Sequence, residues 1–337
     1  MHMADALISP AVGGVMMAAG AGAIAYSVSK VKEDLDEKKI PLMGVMGAFV
    51  FSAQMINFTI PATGSSGHLG GGILLAALLG PYAGFLVITS VLLIQAFLFG
   101  DGGLLALGCN VFNMGFLTCF VAYPLIYKPI IKRGLNVRNI SIATMLAVIA
   151  GLQLGAFGVV LETLVSGKTE LPFAAFLALM QPIHLAIGIV EGIAVSAVLC
   201  FIYKFDPELL RTAVPCAHKQ SAGPVKKTIV ILLAAALAVG GFVSWFASEN
   251  PDGLEWALTK VTGEPELESQ SAIHSLASGI QEKTAILPDY SLKNGAALPA
   301  QAGTTASGIS GGLLTLALAA LSGIAITRFK RKKECQS

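Results

Sequence analysis

Charged side chains are scarce in this sequence. Asp, Glu, Lys and Arg make up 12% of its 337 residues, below the ~25% of typical soluble proteins, whereas hydrophobic residues make up 55%. The apolar residues form continuous runs rather than an alternating pattern, which favours membrane-spanning helices over a β-barrel. The sequence therefore predicts an all-α fold, a polytopic transmembrane helical bundle in the lipid bilayer. The net charge of +2 gives no reason to expect nucleic acid as a partner.

Motifs that mark other classes of protein are also missing. The five cysteines show no CxxC spacing, and no GxxxxGK[ST] motif occurs in the chain. A cysteine-bound zinc site and a nucleotide-binding P-loop are therefore not indicated. Lys and Arg do not occur before Lys30. Because a cleavable signal peptide begins with basic residues, we expect the first apolar helix to be retained.

Nine apolar runs predict the helices and their grouping. They occupy residues 8–28, 42–60, 69–80, 82–100, 104–127, 139–160, 174–203, 228–247 and 309–327. A polar stretch follows the seventh run, and a longer acidic stretch follows the eighth. We predict a seven-helix core at 1–205, a cytoplasmic linker at 206–227, and a two-helix module at 228–337 with an extracytoplasmic loop at 248–308.

The basic residues predict how these helices are oriented. If the amino terminus lies outside, 18 of the 22 Lys and Arg residues fall on the cytoplasmic side, and only Lys168, Lys260, Lys283 and Lys293 fall outside. Positive charge accumulates in cytoplasmic loops of membrane proteins. The sequence therefore predicts a multi-pass protein of the plasma (inner) membrane, with its amino terminus outside and its carboxyl terminus in the cytoplasm.

The first two residues, Met1 and His2, can form a metal chelate. The α-amine of Met1, the main-chain amide nitrogen of His2 and the His2 imidazole can occupy three corners of a square plane if the amide loses its proton. Ni(II) and Cu(II) favour such nitrogen coordination. Alone, His2 is better explained as a surface residue. However, His68 lies in the glycine-rich loop GSSGHLGGG (64–72), on the same predicted side of the membrane, and its imidazole can fill the fourth corner.

Further polar residues are candidates for supporting this site. Ser65 and Ser66 adjoin His68 in the loop. Asn110 and Asn113, in GCNVFNMG, can orient the loop histidine or can serve as helix caps.

A second polar group lies within the seventh apolar run. His184 and Glu191 are seven residues apart in QPIHLAIGIVEG and so share one face of a helix. Ionisable residues at membrane depth commonly have a function. The alternative is a structural polar pair satisfied by Gln181 or by a neighbouring helix.

An intramembrane serine protease is a distant alternative from another class. Gly64 to Gly67 match a G-x-S-G pattern, and His184 is followed by Gly188, as on the histidine-bearing helix of rhomboid-like proteases. The four-residue match is weak, and the histidine and glycine are four residues apart rather than three.

Several segments can be considered together: MHMADALISP (1–10), FSAQMINF (51–58), GSSGHLGGG (64–72), NVFNMG (110–115) and His184 through Glu191. In combination they closely resemble the NikM/CbiM family, the substrate-specific membrane components of energy-coupling factor importers for nickel and cobalt. The resemblance covers roughly residues 1–205. Cobalt members look more like GSSSHPTG in the loop, so GSSGHLGGG favours nickel, with a cobalt importer subunit as the alternative.

The carboxyl-terminal part carries a second resemblance. From about residue 225, with PDGLE at 251–255 and LPDY at 287–290, the chain resembles the PDGLE module, a NikN/CbiN-like auxiliary component that is fused here.

These resemblances imply a function and a set of ligands. The metal, Ni(II) or possibly Co(II) as the transported substrate, would be held by the Met1 amine, the amide and imidazole of His2, and His68. The protein would be no enzyme but a substrate-capture subunit. Its implied partners are a transmembrane coupling (T) subunit and two cytoplasmic ATPase subunits, which would supply the energy.

Overall fold

Within the residues that the structure describes, the fold is helical apart from one short β-hairpin and the connecting loops. The structure, a computed structural model, describes residues 2–34, 39–168, 170–211, 225–267, 271–293 and 300–334. The helices are long, apolar and packed side by side, so the predicted all-α transmembrane bundle is confirmed.

Each of the first seven apolar runs contains helix. These helices are α1 (Pro10–Asp34), α2 (Ile40–Gln54), α3 (Gly72–Leu79), α4 (Pro81–Ile94), α5 (Leu107–Asn110), α6 (Lys128–Lys132), α7 (Val137–Val165), α8 (Phe173–Phe205) and the single turn α9 (Glu208–Arg211). A π-helical segment extends α4 over Gln95–Phe99, and another joins α5 to α6 over Val111–Tyr127. Leu107–Lys132 is therefore one continuous helix of 26 residues.

The carboxyl-terminal part adds four helices. They are α10 (Val225–Gly241), α11 (Gly253–Thr262), α12 (Ala272–Thr284) and α13 (Ala300–Glu334). The stretch predicted as an outer loop, 248–308, thus contains α11, α12 and the first turns of α13. Most of the predicted linker 206–227 lies outside the described residues.

Helix length separates spanning helices from shorter ones. Among the described residues, six helical stretches are long and apolar enough to cross a membrane: Pro10–Glu33, Pro81–Phe99, Leu107–Lys132, Val137–Val165, Phe173–Phe205 and Gln301–Arg328. Ile40–Gln54 and Lys227–Gly241 are shorter. The eight residues of α3 rise only about 12 Å, well short of a hydrocarbon core about 30 Å thick. The arrangement of seven plus two spanning helices stays a prediction.

Small residues bring the carboxyl-terminal helices close to α2. A Cβ atom on Gly44 would lie 3.0 Å from the carbonyl oxygen of Leu316, and one on Gly311 would collide with the ring of Phe51. Close backbone approach of this kind is how helices associate in lipid. The small residues of α2 therefore pack against α13, within the chain itself.

The hairpin that precedes α3 carries the loop histidine. Its strands β1 (Phe58–Ile60) and β2 (Ser65–Gly67) are antiparallel, with Phe58 opposite Gly67 and Ile60 opposite Ser65. Gly64 turns the chain into β2 with φ of +74°, a left-handed conformation that favours glycine. His68 follows the last residue of β2, which fixes the position from which its side chain extends.

Candidate metal centre

The imidazole rings of His2 and His68 are stacked on each other. Their centroids are 5.0 Å apart and their planes are inclined by 19°. The side chain of His2 is 7% exposed, whereas His68 is partly buried. The structure therefore brings together the two histidines that the sequence singled out, 66 positions apart along the chain. Met1, the third predicted contributor, lies outside the described residues.

The segment after His2 is inserted into the bundle. The amide of Met3 donates to Asn110 Oδ1 at 2.8 Å, and Asn110 Nδ2 donates back to the carbonyl oxygen of Met3 at 3.2 Å. The carbonyl also accepts from the amide of Gly103 at 2.9 Å. The side chain of Met3 is fully buried. Asn110 thus acts on the main chain next to His2 and holds the amino-terminal segment in place.

Asn113 lies one helical turn deeper than Asn110. Its Nδ2 donates to Glu162 Oε2 at 2.7 Å and approaches the sulfur of Met3 at 3.8 Å. Asn113 therefore contacts the buried Met3 side chain and is itself bonded to Glu162, a residue that the sequence analysis did not select.

The two loop serines bind the carboxyl-terminal module. Ser66 Oγ donates to the carbonyl oxygen of Asn250 at 2.8 Å, and the amide of Ser66 donates to that of Pro251 at 2.8 Å. Ser65 Oγ donates to the carbonyl of Ser66 at 3.1 Å and to that of Pro251 at 3.4 Å. Neither serine is bonded to an imidazole, as a serine nucleophile would be. They dock the module on the hairpin that carries His68.

The module in turn covers the histidines. Asp252 caps the amino terminus of α11, accepting from the amides of Leu254 and Glu255, and Glu255 completes the capping box. A cavity of about 800 Å³ lies between the module and the core. Its lining includes His2, His68, Asp101, Asp252, Glu255 and Asp289. The two imidazoles therefore face a polar chamber with acidic walls.

The surroundings keep both imidazoles neutral. Burial lowers the pKa of His2 below its usual value, although the carboxylate of Asp101 opposes this. Burial and the neighbouring His2 lower the pKa of His68. Since a metal binds only the unprotonated imidazole nitrogen, both side chains are ready to act as ligands at neutral pH.

The ring nitrogens of His2 contact residues that the sequence analysis missed. Nδ1 lies 3.2 Å from Asp101 Oδ1, and Nε2 lies 3.2 Å from Gln95 Oε1. Gln95 Nε2 donates to Gln54 Oε1 at 2.8 Å. A lone glutamine within the apolar run VLLIQAFLF is the signal that could have indicated Gln95, because polar residues at this depth are costly unless they are used.

His184 and Glu191 lie beneath this centre and do not bond to each other. His184 Nδ1 lies 2.8 Å from the carbonyl of Met180, and Glu191 Oε1 accepts from the amide of Gly71 at 2.9 Å. Gln181 instead pairs with the main chain of Gln153.

A small cavity separates these two residues from the chamber above. Its volume is about 30 Å³, and its lining includes His68, Asn113, His184, Glu191, Asp252 and Gly253. His184 Nε2 and Glu191 Oε2 are buried without a hydrogen-bond partner. The cavity has room for one or two water molecules that would satisfy them. His184 and Glu191 are therefore connected to the two histidines above them through the loop that carries His68.

Side chains alone do not complete a metal site here. Among the residues that the structure describes, no three His, Cys, Asp or Glu side chains converge in a way that could hold a metal ion. Two imidazoles could provide two nitrogen ligands, and a site with four nitrogens would need the others from the main chain.

Comparison with known proteins identifies two regions of the chain. Residues 2–209 match the CbiM family, described as the cobalt uptake substrate-specific transmembrane region, and residues 226–328 match the PDGLE domain. The predicted division into 1–205, 206–227 and 228–337 stays a prediction.

Individual relatives span most or part of the chain. A protein of Archaeoglobus fulgidus, provisionally named a fused nickel transport protein (NikMN), is 32% identical over 333 residues, covering 98% of this chain and 99% of that protein. The cobalt transport protein CbiM of Geobacter sulfurreducens is 30% identical over 258 residues, covering 72% of each. The crystal structure of a transition metal transporter is 34% identical, with a TM-score of 0.53, and covers 64% of this chain and 98% of that one.

The match over residues 2–209 accounts for more than half of the chain, and the fused relative matches it almost from end to end. The chain therefore belongs to the CbiM family of substrate-specific transmembrane proteins and carries a PDGLE domain fused to its carboxyl-terminal side.

Proposed function

We propose that this protein captures Ni(II) on the outer side of the membrane in a square-planar nitrogen site. Its ligands are the Met1 amine, the amide and imidazole of His2, and the imidazole of His68. The observation that carries this proposal is the stacking of the His2 and His68 rings 5.0 Å apart. No other pair of described histidines is stacked in this way.

The chemistry of the ligands favours nickel. A deprotonated amide nitrogen is a strong-field ligand that Ni(II) accepts readily in a square plane. The relatives named for nickel transport include fused proteins like this one, which supports nickel, whereas the Geobacter relative is named for cobalt. Co(II) import is therefore the second candidate function. The protein is a transport subunit of the membrane and not an enzyme.

Transport needs partners that supply energy. The chain has no nucleotide-binding P-loop. We propose that a transmembrane coupling subunit and two cytoplasmic ATPase subunits drive release of the metal, with the amino terminus outside and the carboxyl terminus in the cytoplasm. The acidic chamber beneath the PDGLE domain would attract hydrated cations and load the site.

The decisive experiment changes the amino terminus and no side chain. Two glycines added before Met1 move the α-amine away from the plane and replace it by an amide. We expect nickel binding by the purified protein, measured by isothermal titration, to be lost while the thermal unfolding midpoint is unchanged. The same two glycines added after Ser337 are the matched control. Native nickel affinity in the extended protein would exclude the amine as a ligand.

A further inference from the structure

A row of hydrogen bonds joins His2 to the loop that carries His68. Gln54 Nε2 donates to the carbonyl oxygen of Gly70 at 2.8 Å, and Gln95 Nε2 donates to Gln54 Oε1 at 2.8 Å. Gln95 Oε1 then lies 3.2 Å from His2 Nε2. The two glutamines are 4% and 0% exposed, so water does not replace their partners. We call Gln54 and Gln95 the glutamine relay.

The direction of the relay is fixed at Gly70. A carbonyl oxygen can only accept, so Gln54 must turn its NH₂ group toward Gly70 and its oxygen toward Gln95. Gln95 must therefore turn its own NH₂ group toward Gln54, which leaves its oxygen facing His2. The hydroxyl of Tyr290, 3.3 Å from Gln95 Nε2, accepts the second hydrogen of that group. His2 consequently meets an acceptor at Nε2.

An acceptor at Nε2 favours the form of the neutral imidazole that carries its proton there. Only a protonated Nε2 can donate to Gln95 Oε1, and the lone pair of the ring then lies on Nδ1. Nδ1 is also the nitrogen that closes a six-membered ring with the amide nitrogen of His2, through Cα, Cβ and Cγ. We infer that the glutamine relay positions His2 by holding its proton on Nε2 and keeping Nδ1 free to bind the metal.

Asp101 makes the relay necessary. Its Oδ1 lies 3.2 Å from His2 Nδ1, where it would accept a hydrogen bond from a protonated Nδ1. If Nε2 had no acceptor, Asp101 would draw the proton of the neutral ring to the chelating nitrogen, and the metal would have to displace it. The relay therefore opposes the pull of Asp101 on the His2 proton. The Asp101 carboxylate stays beside the proposed position of the metal cation.

The relay also couples the positions of the two imidazoles. It ends on Gly70, two residues beyond His68, and Gln54 is the last residue of α2. His2 is thus oriented by a contact to the segment that holds the second histidine. Outer groups that orient a ligating histidine change metal affinity about 10-fold to 100-fold when they are removed.

This inference rests on the proposed function, but it can be tested without a metal. Metal-free protein carrying ¹⁵N in its histidine rings would be examined by NMR at about pH 8, where an ordinary imidazole is neutral. The signals of His2 would be assigned by their loss in His2→Ala. We expect wild-type His2 to show the Nε2–H form. In Gln95→Met we expect the Nδ1–H form to predominate, because the Asp101 carboxylate at Nδ1 is then opposed by no acceptor at Nε2.

Further variants separate positioning from folding. Gln54→Met leaves every atom near His2 unchanged, yet it frees Gln95 to rotate, so we expect a mixture of the two ring forms. Gln95→Glu keeps an acceptor for Nε2 and should retain the wild-type form. Gln153→Met is the matched control, since it removes a glutamine that bonds between α7 and α8, away from His2. Its ring signals should be unchanged.

Nickel titration of the same proteins completes the test. We expect Kd to rise about 10-fold to 100-fold in Gln95→Met, less in Gln54→Met, and not at all in Gln153→Met. An Nδ1–H form in the wild type, or the same ring form in Gln95→Met, would overturn the relay whatever the nickel affinity. Wild-type Nε2–H without nickel binding would instead contradict the proposed function and leave the relay intact.

Discussion

Ser66 Oγ donates a hydrogen bond to the main-chain carbonyl of Asn250, 2.8 Å away, and so joins the hairpin of His68 to the PDGLE domain. Next to it, the amide of Ser66 donates to the carbonyl of Pro251, and Trp256 Nε1 donates to the carbonyl of Thr63 at 2.9 Å. The fused domain is therefore attached at the loop that carries His68, a proposed metal ligand. A change in this contact should therefore alter the position of His68.

Replacing Ser66 by alanine should loosen the domain without abolishing capture of the metal. The change leaves the carbonyl of Asn250 without the serine hydroxyl, which costs about 1 kcal/mol or more in a buried place. We expect a lower thermal unfolding midpoint and modestly reduced nickel uptake. A fluorophosphonate probe should not label the wild-type protein. Stoichiometric labelling of Ser66 would support the protease alternative.

A chain that ends near Tyr203 should bind nickel but import it poorly. The remaining residues keep His2, His68, Asn110 and the glutamine relay, whereas the acidic chamber is lost. Binding would be measured by isothermal titration, and uptake by nickel accumulation in cells that also produce the coupling and ATPase subunits. Loss of binding in a well-folded truncated protein, or full uptake without residues 228–327, would contradict the role assigned to the domain.

Packing between α2 and α13 should depend on particular glycines. A methyl group at Gly311 would collide with Phe51, whereas one at Gly312 would lie 3.6 Å from Ser52 Oγ, an ordinary contact. We expect Gly311→Ala to lower the free energy of unfolding by about 1–3 kcal/mol through overpacking, and Gly312→Ala to have little effect. Thermal unfolding in detergent would compare them. Equal midpoints for the two variants would contradict the close approach of α13 to α2.

Nickel affinity should decrease as the pH is lowered, because protons compete with the metal for main-chain nitrogen rather than for the imidazoles. The pKa values of His2 and His68 are lowered by burial, so both rings stay neutral above the usual value of about 6.5 and do not compete for protons there. Binding still releases a proton from the His2 amide, so we expect Kd to rise at least about tenfold between about pH 8 and about pH 7. A pH-independent Kd over this range would exclude a deprotonated amide.

Asn110 should act through the main chain of Met3. Asn110→Leu removes both hydrogen bonds to that residue, so we expect the amino-terminal segment to leave its place and Kd for nickel to rise about tenfold or more. Asn110→Asp keeps the acceptor for the amide of Met3 but not the donor to its carbonyl. Its Kd for nickel should lie between those of the wild type and Asn110→Leu. Digestion by an aminopeptidase would report release of the segment. Unchanged protection in Asn110→Leu would show that Met3 is held by other contacts.

The sequence predicted the helical bundle because continuous apolar runs allow few other structures in lipid. It also predicted that His2 and His68 meet, since both fall on one side of the predicted membrane. It did not reveal the roles of Gln54, Gln95 and Asp101, because these depend on side-chain directions across three separate segments. The attachment of Ser66 to Asn250 joins residues 184 positions apart. Hydrophobic periodicity is a local property and contains no information about such contacts.

The chamber around the histidines is walled by residues from both ends of the chain, with Asp252 and Tyr290 facing His2 and His68. During synthesis at about 5–20 residues per second, roughly ten seconds or more separate the emergence of His2 from that of Asp252. A nascent chain therefore carries both histidines well before the domain that covers them has been made. The chamber with its acidic wall would be complete only once the last helices are in the membrane.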